Sequence, residues 1–166
     1  MKLQTVVTKS ALILLLLIMP TVAEVVKVGD YRVEIDFGGT PVNITQSTPF
    51  MIGGLTASSL RFVTEDAKGT VTICESLTGD SHSILVSNCD RVLDLIMALE
   101  YINVDVTPYE DGFFATGEDF NRVPAYGILK PVDVEFGRAS KLLITTAVSK
   151  NEEISKQIVS SSKMVE

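Results

Sequence analysis

The chain has 166 residues, 46% of them apolar, with 21 acidic against 14 basic side chains and a formal charge of −7. This is enough to build a core without metal or cofactor. It argues against nucleic acid and anionic lipid surfaces as partners, since both require clustered Lys or Arg and the sequence has no such cluster. A lone His82 and two separated Cys are not a metal-ligand set.

Lys2 and Lys9 precede an unbroken apolar run from Ala11 to Met19, and Pro20-Thr21-Val22-Ala23 ends in small residues before Glu24. Basic, apolar and small-residue regions in that order are the pattern of a secretory signal peptide. Residues 1–23 are therefore expected to be a leader, and residues 24–166 a single α+β domain that is secreted or otherwise extracytoplasmic. The alternative is that the leader is retained as an N-terminal anchor, which would be the chain's only attachment to a membrane. Thr21 and Glu24 interrupt the run short of the roughly 20 residues a spanning helix needs. In an oxidising compartment Cys74 and Cys89 are expected to form a disulfide, which closes a short loop and stabilises the fold by about 3 kcal/mol in the chain-entropy model. In a reducing compartment they would be buried free thiols.

Tyr31 to Phe37 alternates apolar and polar residues and predicts a strand with one face on a core. Pro49 to Ser59, rich in small residues, reads as a loop. Leu60 to Thr64 and Thr70 to Glu75 read as a strand pair joined by Glu65 to Gly69, with Gly at the turn. Ser83 to Ser87 is a short apolar run that suits either a strand or the approach to a helix. A helix is expected next, capped by Ser87 with Asp90 three residues on, and with Val92, Leu95 or Ile96, Leu99 and Ile102 on its apolar face. Asn103 to Thr107 and Phe113 to Thr116 form a hairpin around Asp111-Gly112. Strands over Arg122 to Leu129 and Val132 to Phe136 follow. Lys141 to Ser149 is apolar on both faces and predicts a central strand. Ser149 is expected to cap a last helix carrying Ile154, Ile158 and Val159, with a frayed polar tail from Ser160. Strand runs with segregated helices imply α+β: a mainly antiparallel sheet with one central and one C-terminal helix packed on it.

The opening Gly29-Asp30-Tyr31-Arg32-Val33-Glu34-Ile35-Asp36 and the closing strand into Glu152-Glu153-Ile154 make this element order similar to the PsbP/Mog1-like α/β/α sandwich group. The resemblance covers about residues 25 to 160 and rests on element order. It implies an opening hairpin, a central antiparallel sheet and a packed C-terminal helix, and a protein that binds or assembles, since few members are enzymes. It brings no site residues with it.

No catalytic, cofactor or metal set stands out. Ser81-His82-Ser83 holds the only His, but triad partners come from distant segments, so a solvated loop His is expected. Glu110-Asp111 and Glu118-Asp119 lack the ligand spacing of an EF-hand and read as solvated turn acids. Asn43-Ile44-Thr45 is an N-glycosylation acceptor sequence. Tyr109, Phe113, Phe114, Phe120 and Tyr126 crowd into eighteen residues. Phe113 and Phe114 must face opposite sides of a strand, so any exposed ring among Tyr109, Phe113, Phe114 and Phe120 would mark a partner surface. The expectation is a non-enzymatic extracytoplasmic binding or assembly module for an envelope or extracellular protein. The alternatives are a small hydrolase using Asp111, Glu118 and Asp119, or a small-ligand carrier with an enclosed apolar cavity between the sheet and the Val92 to Ile102 helix.

Overall fold

The computed structural model describes residues 22–166. Apart from Val22 and Ala23, the expected leader lies outside the described residues. The first strand, β1 (Glu24–Val28), starts directly after Ala23 and pairs with β2 (Tyr31–Ile35). Next come β3 (Asn43–Gln46), β4 (Phe50–Ile52), β5 (Leu55–Val63), β6 (Ala67–Ser76) and β7 (Ile84–Leu85). A short 3-10 turn leads into α1 (Cys89–Ala98). The chain continues through β8 (Ile102–Tyr109), β9 (Gly112–Glu118), β10 (Pro124–Val132), β11 (Arg138–Ala139), β12 (Lys141–Ser149), α2 (Glu152–Ser161) and β13 (Lys163–Val165).

The fold is α+β, and every strand pairing among the described residues is antiparallel. The main sheet has the order β3-β5-β6-β12-β10-β9-β8, with β4 taking the part of the outer edge of β5 that β3 leaves free. β12 lies in the middle, as its two apolar faces require. Leu142 and Ile144 point to one face, where α1 packs with Leu93 and Met97. Leu143 and Ala147 point to the other, which is covered by Ile158 and Val159 of α2 and by Val28, Val33 and Ile35 of the small sheet β1-β2-β13. Fully burying each such aliphatic side chain contributes about 1.5–3 kcal/mol. Gly127 lies under α1, where a Cβ would come 2.7 Å from the Met97 sulfur, and this close approach seats the helix on the sheet.

Several expected elements are corrected. Pro49 to Ser59 is not a loop but holds β4 and the first half of β5, in which Leu55 and Ala57 are buried. The β5–β6 turn is made by Thr64, whose hydroxyl accepts from the Ala67 amide at 2.9 Å, so Gly69 falls within β6. The α1 N-cap is Asn88 without a side-chain cap bond, not Ser87. The buried face of α1 is Cys89, Leu93, Ile96 and Met97, while Leu95 and Leu99 are exposed, so the helix is turned from the expected phase. Apolar residues at every position from Val92 to Leu99 except Asp94 allow either phase, and the approach over Gly127 selects one. Val132 to Phe136 is not a strand, because Asp133 and Phe136 both adopt positive φ after β10 ends. Asn151, not Ser149, caps α2 by accepting from the Glu153 amide at 3.1 Å. The tail is held: Ser162 is buried and accepts from Thr145 at 2.8 Å, and β13 pairs with β2.

Candidate functional site

The α1-side face of the sheet is apolar beneath the helix and becomes polar beyond its C-terminal end. Strand register puts Arg61 of β5 opposite Thr70 of β6, and Thr70 opposite Thr146 of β12. Ser59 stands opposite Thr72 in the adjoining row. The Ser59 and Thr72 hydroxyls are 2.7 Å apart, and those of Thr70 and Thr146 are 2.9 Å apart. All four residues are buried, yet they floor a cavity of about 390 Å³ walled by Phe50, Ile96, Leu99 and Tyr101. The Tyr101 hydroxyl meets that of Thr146. Burial pushes the Tyr101 pKa up to about 12, with the Thr146 contact opposing, so the phenol keeps its proton. Each hydroxyl has one hydrogen and two lone pairs. A pair joined by one bond therefore still offers a donor and acceptors to whatever fills the space.

Arg61 and Glu100 form an ion pair at the rim. Beyond it lies a second cavity of about 380 Å³, lined by Lys68, Asp119, Phe120 and Asn121. Arg61, Leu99, Glu100 and Tyr101 line both cavities, so the two are halves of one groove divided by the ion pair. Burial raises the Asp119 pKa, but the Val123 and Asn121 amides and the Lys68 ammonium, 3.7 Å away, together hold it below the usual carboxylate range. Phe120 projects at the outer cavity, 78% exposed.

No family model matches the chain, and neither a curated protein nor a solved structure matches it.

The expected aromatic patch is dispersed. Phe113 packs on the α1-side core, and Phe114 packs on the opposite core between Tyr109 and Tyr126, with ring centroids 5.9 and 5.8 Å away. Tyr109 and Phe120 are exposed but lie at opposite ends of β9, and only Phe120 joins the groove. The most exposed ring is one not singled out from sequence: Phe136, in the loop after β10. The three acids of the hydrolase alternative do not converge. Asp111 lies in the turn before β9 and Glu118 at the far end of that strand, whose length is roughly 20 Å at strand spacing. Glu118 is bound by Arg122 at 2.9 Å, and this bond holds its pKa down.

Ser81 Oγ lies 3.0 Å from His82 Nδ1, and His82 Nε2 lies 3.7 Å from Glu135. This has the order of a nucleophile, base and orienting acid, but both Ser81 and Glu135 are exposed, so water competes for every proton. Among the described residues no three His, Cys, Asp or Glu side chains gather as metal ligands, and no helix is long and apolar enough to cross a membrane. Asn43 is exposed on β3. Cys74 and Cys89 are unbonded thiols buried in one cluster, Cys74 on β6 and Cys89 at the start of α1. Burial pushes their pKa values up to about 12 and about 11.

The carrier alternative expects a cavity between the sheet and the Val92 to Ile102 helix, whereas the groove opens beyond the C-terminal end of α1, beside Ile96 and Leu99. Its floor is hydroxylated and its mouth open, where an enclosed apolar space was expected. The signal in the sequence is Thr70 and Thr72, which alternate with the apolar Val71 and Ile73 and so share one side of β6.

Proposed function

We propose that this chain is a non-enzymatic extracytoplasmic binding module whose ligand lies in the groove between the end of α1 and strands β5, β6 and β12. The observation that carries the reading is the buried floor of Ser59, Thr70, Thr72 and Thr146. Burying hydroxyls is unfavourable unless their hydrogen bonds are made, and here the spare bonding capacity is directed into an open cavity. The non-enzymatic part is supported by the carboxylates nearby. Glu100 is engaged by Arg61, and Asp119 by two amides and Lys68, so each carboxylate is held in a structural contact. The extracytoplasmic part rests on the leader pattern and is supported by β1, which begins where cleavage after Ala23 would leave an intact strand. The PsbP/Mog1-like shape remains part of the same proposal.

The test is solvent mapping by NMR. Isopropanol, cyclohexanol and N-methylacetamide are titrated into the 15N-labelled protein, and amide shifts are followed. The expected outcome is that the largest shifts cluster at Ser59, Thr72, Tyr101 and Thr146. Shifts that scatter over the surface, or gather at Phe136 instead, would reject the groove as the site.

A further inference from the structure

We infer that the groove takes a linear, uncharged oligosaccharide at least two rings long, lying from the inner cavity past the Arg61–Glu100 pair into the outer one; this rests on the groove being the ligand site proposed above. The first argument is chemical. The inner floor consists of hydroxyls that can both donate and accept, with no charge among Ser59, Thr70, Thr72 and Thr146. Such a surface matches ligand groups with the same double character, and sugar hydroxyls have it at every ring position that carries one.

The second argument is electrostatic. The charged residues lining the groove come as opposite pairs, Arg61 with Glu100 and Lys68 with Asp119. The groove lining therefore has no net charge in a chain whose formal charge is −7, so it selects for an ion of neither sign. The planar guanidinium of Arg61 and the carboxylate of Glu100 present a donor fork beside an acceptor, which suits neighbouring hydroxyls on one ring.

The third argument is shape. Each cavity, at about 390 and 380 Å³, lies near the lower end of small-molecule sites, and the two share a wall. The outer one carries the exposed Phe120 ring, a flat surface for the apolar C–H face of a sugar. An extended peptide has a similar outline, but one that docks by strand addition needs a free sheet edge. Here the floor belongs to β5, β6 and β12, whose backbones are already paired on both sides. Apolar peptide side chains would also strip water from the Thr hydroxyls and give nothing back.

The experiment titrates the 15N-labelled protein with maltotetraose, cellotetraose, chitotetraose and mannotetraose, each beside its monosaccharide. At least one tetrasaccharide should bind tenfold or more tightly than its monomer and shift amides in both cavities, Thr72 and Thr146 together with Lys68 and Asn121. Phe120→Ala should weaken that tetrasaccharide roughly three- to tenfold and leave the monosaccharide unchanged. If tetramer and monomer bind alike, or Phe120→Ala weakens both equally, the two-cavity path is overturned. If no sugar shifts the groove while isopropanol, cyclohexanol and N-methylacetamide still do, the sugar class is overturned and the binding site stands. If neither group of probes reaches the groove, both readings fall.

Discussion

Gly69 offers the sharpest test of how the centre of the sheet is built. It lies in β6 between Phe62 of β5 and Ala147 of β12, and a Cβ there would meet the Thr146 carbonyl oxygen at 2.0 Å and the Phe62 ring at 2.7 Å. A carbonyl oxygen held in the ladder cannot rotate aside, so Gly69→Ala must push β6 and β12 apart by more than 1 Å. Overpacking alone costs about 1–3 kcal/mol, and each ladder hydrogen bond lost adds about 0.5–1.5 kcal/mol. A total of about 4 kcal/mol or more follows, a large share of the roughly 5–15 kcal/mol that holds an ordinary domain together. Gly127→Ala is the control. Its new methyl would meet the Met97 thioether at 2.7 Å, but that side chain is flexible and can yield, so the cost belongs at the lower end of the overpacking range. Urea and thermal unfolding followed by far-UV circular dichroism read both variants in a chain without Trp. Thermal midpoints should fall roughly 8–16 °C for Gly69→Ala and only a few degrees for Gly127→Ala. If Gly69→Ala costs no more than Gly127→Ala, the close approach of β6 and β12 is not what the reasoning takes it to be.

Three other outcomes are expected. Protein recovered from outside the cytoplasm should give a Cys74–Cys89 linked peptide on non-reducing mapping, tying β6 to α1; two alkylatable thiols in the denatured material would reject the bridge. Asp119 is held below its ordinary pKa in the native state, so its charged form favours folding, and that contribution is lost as pH falls through the native value. Asp119→Asn should therefore be less stable than the parent at pH 7, with the gap closing below about pH 3.9, the unfolded value; a gap unchanged from pH 7 to 3 would refute this. Asn151→Ala should cost about 1 kcal/mol of stability in urea unfolding through loss of the α2 cap, and an unchanged midpoint would mean the cap bond to Glu153 carries nothing.

The fold class was legible where one residue pattern admits one structure. β12, with apolar residues on both of its faces, reads as a buried strand, and the alternation from Tyr31 to Phe37 puts Val33 and Ile35 inside. Legibility failed where composition hid the period. Thr56, Ala57, Ser58 and Ser59 are small enough to look like a loop, yet they continue β5 because its neighbours supply the bulk. The phase of α1 was not recoverable, since a helix with apolar residues on most sides is oriented by what it lands on. The groove was the least legible feature. Ser59, Arg61, Thr70, Thr72 and Thr146 come from three strands, and register alone brings them into two rows. Thr70 and Thr72 showed a polar interruption, but nothing local says that Ser59 and Thr146 stand beside them.

The small sheet has a consequence for how the protein is made. β2 is flanked by β1 and by β13, so Arg32 to Glu34 wait for partners drawn from Lys163–Val165. A chain that emerges N-terminus first keeps one side of β2 open until Val165 is released. The β1–β2 hairpin can form early, but the small sheet is completed only once Lys163–Val165 are in place beside β2.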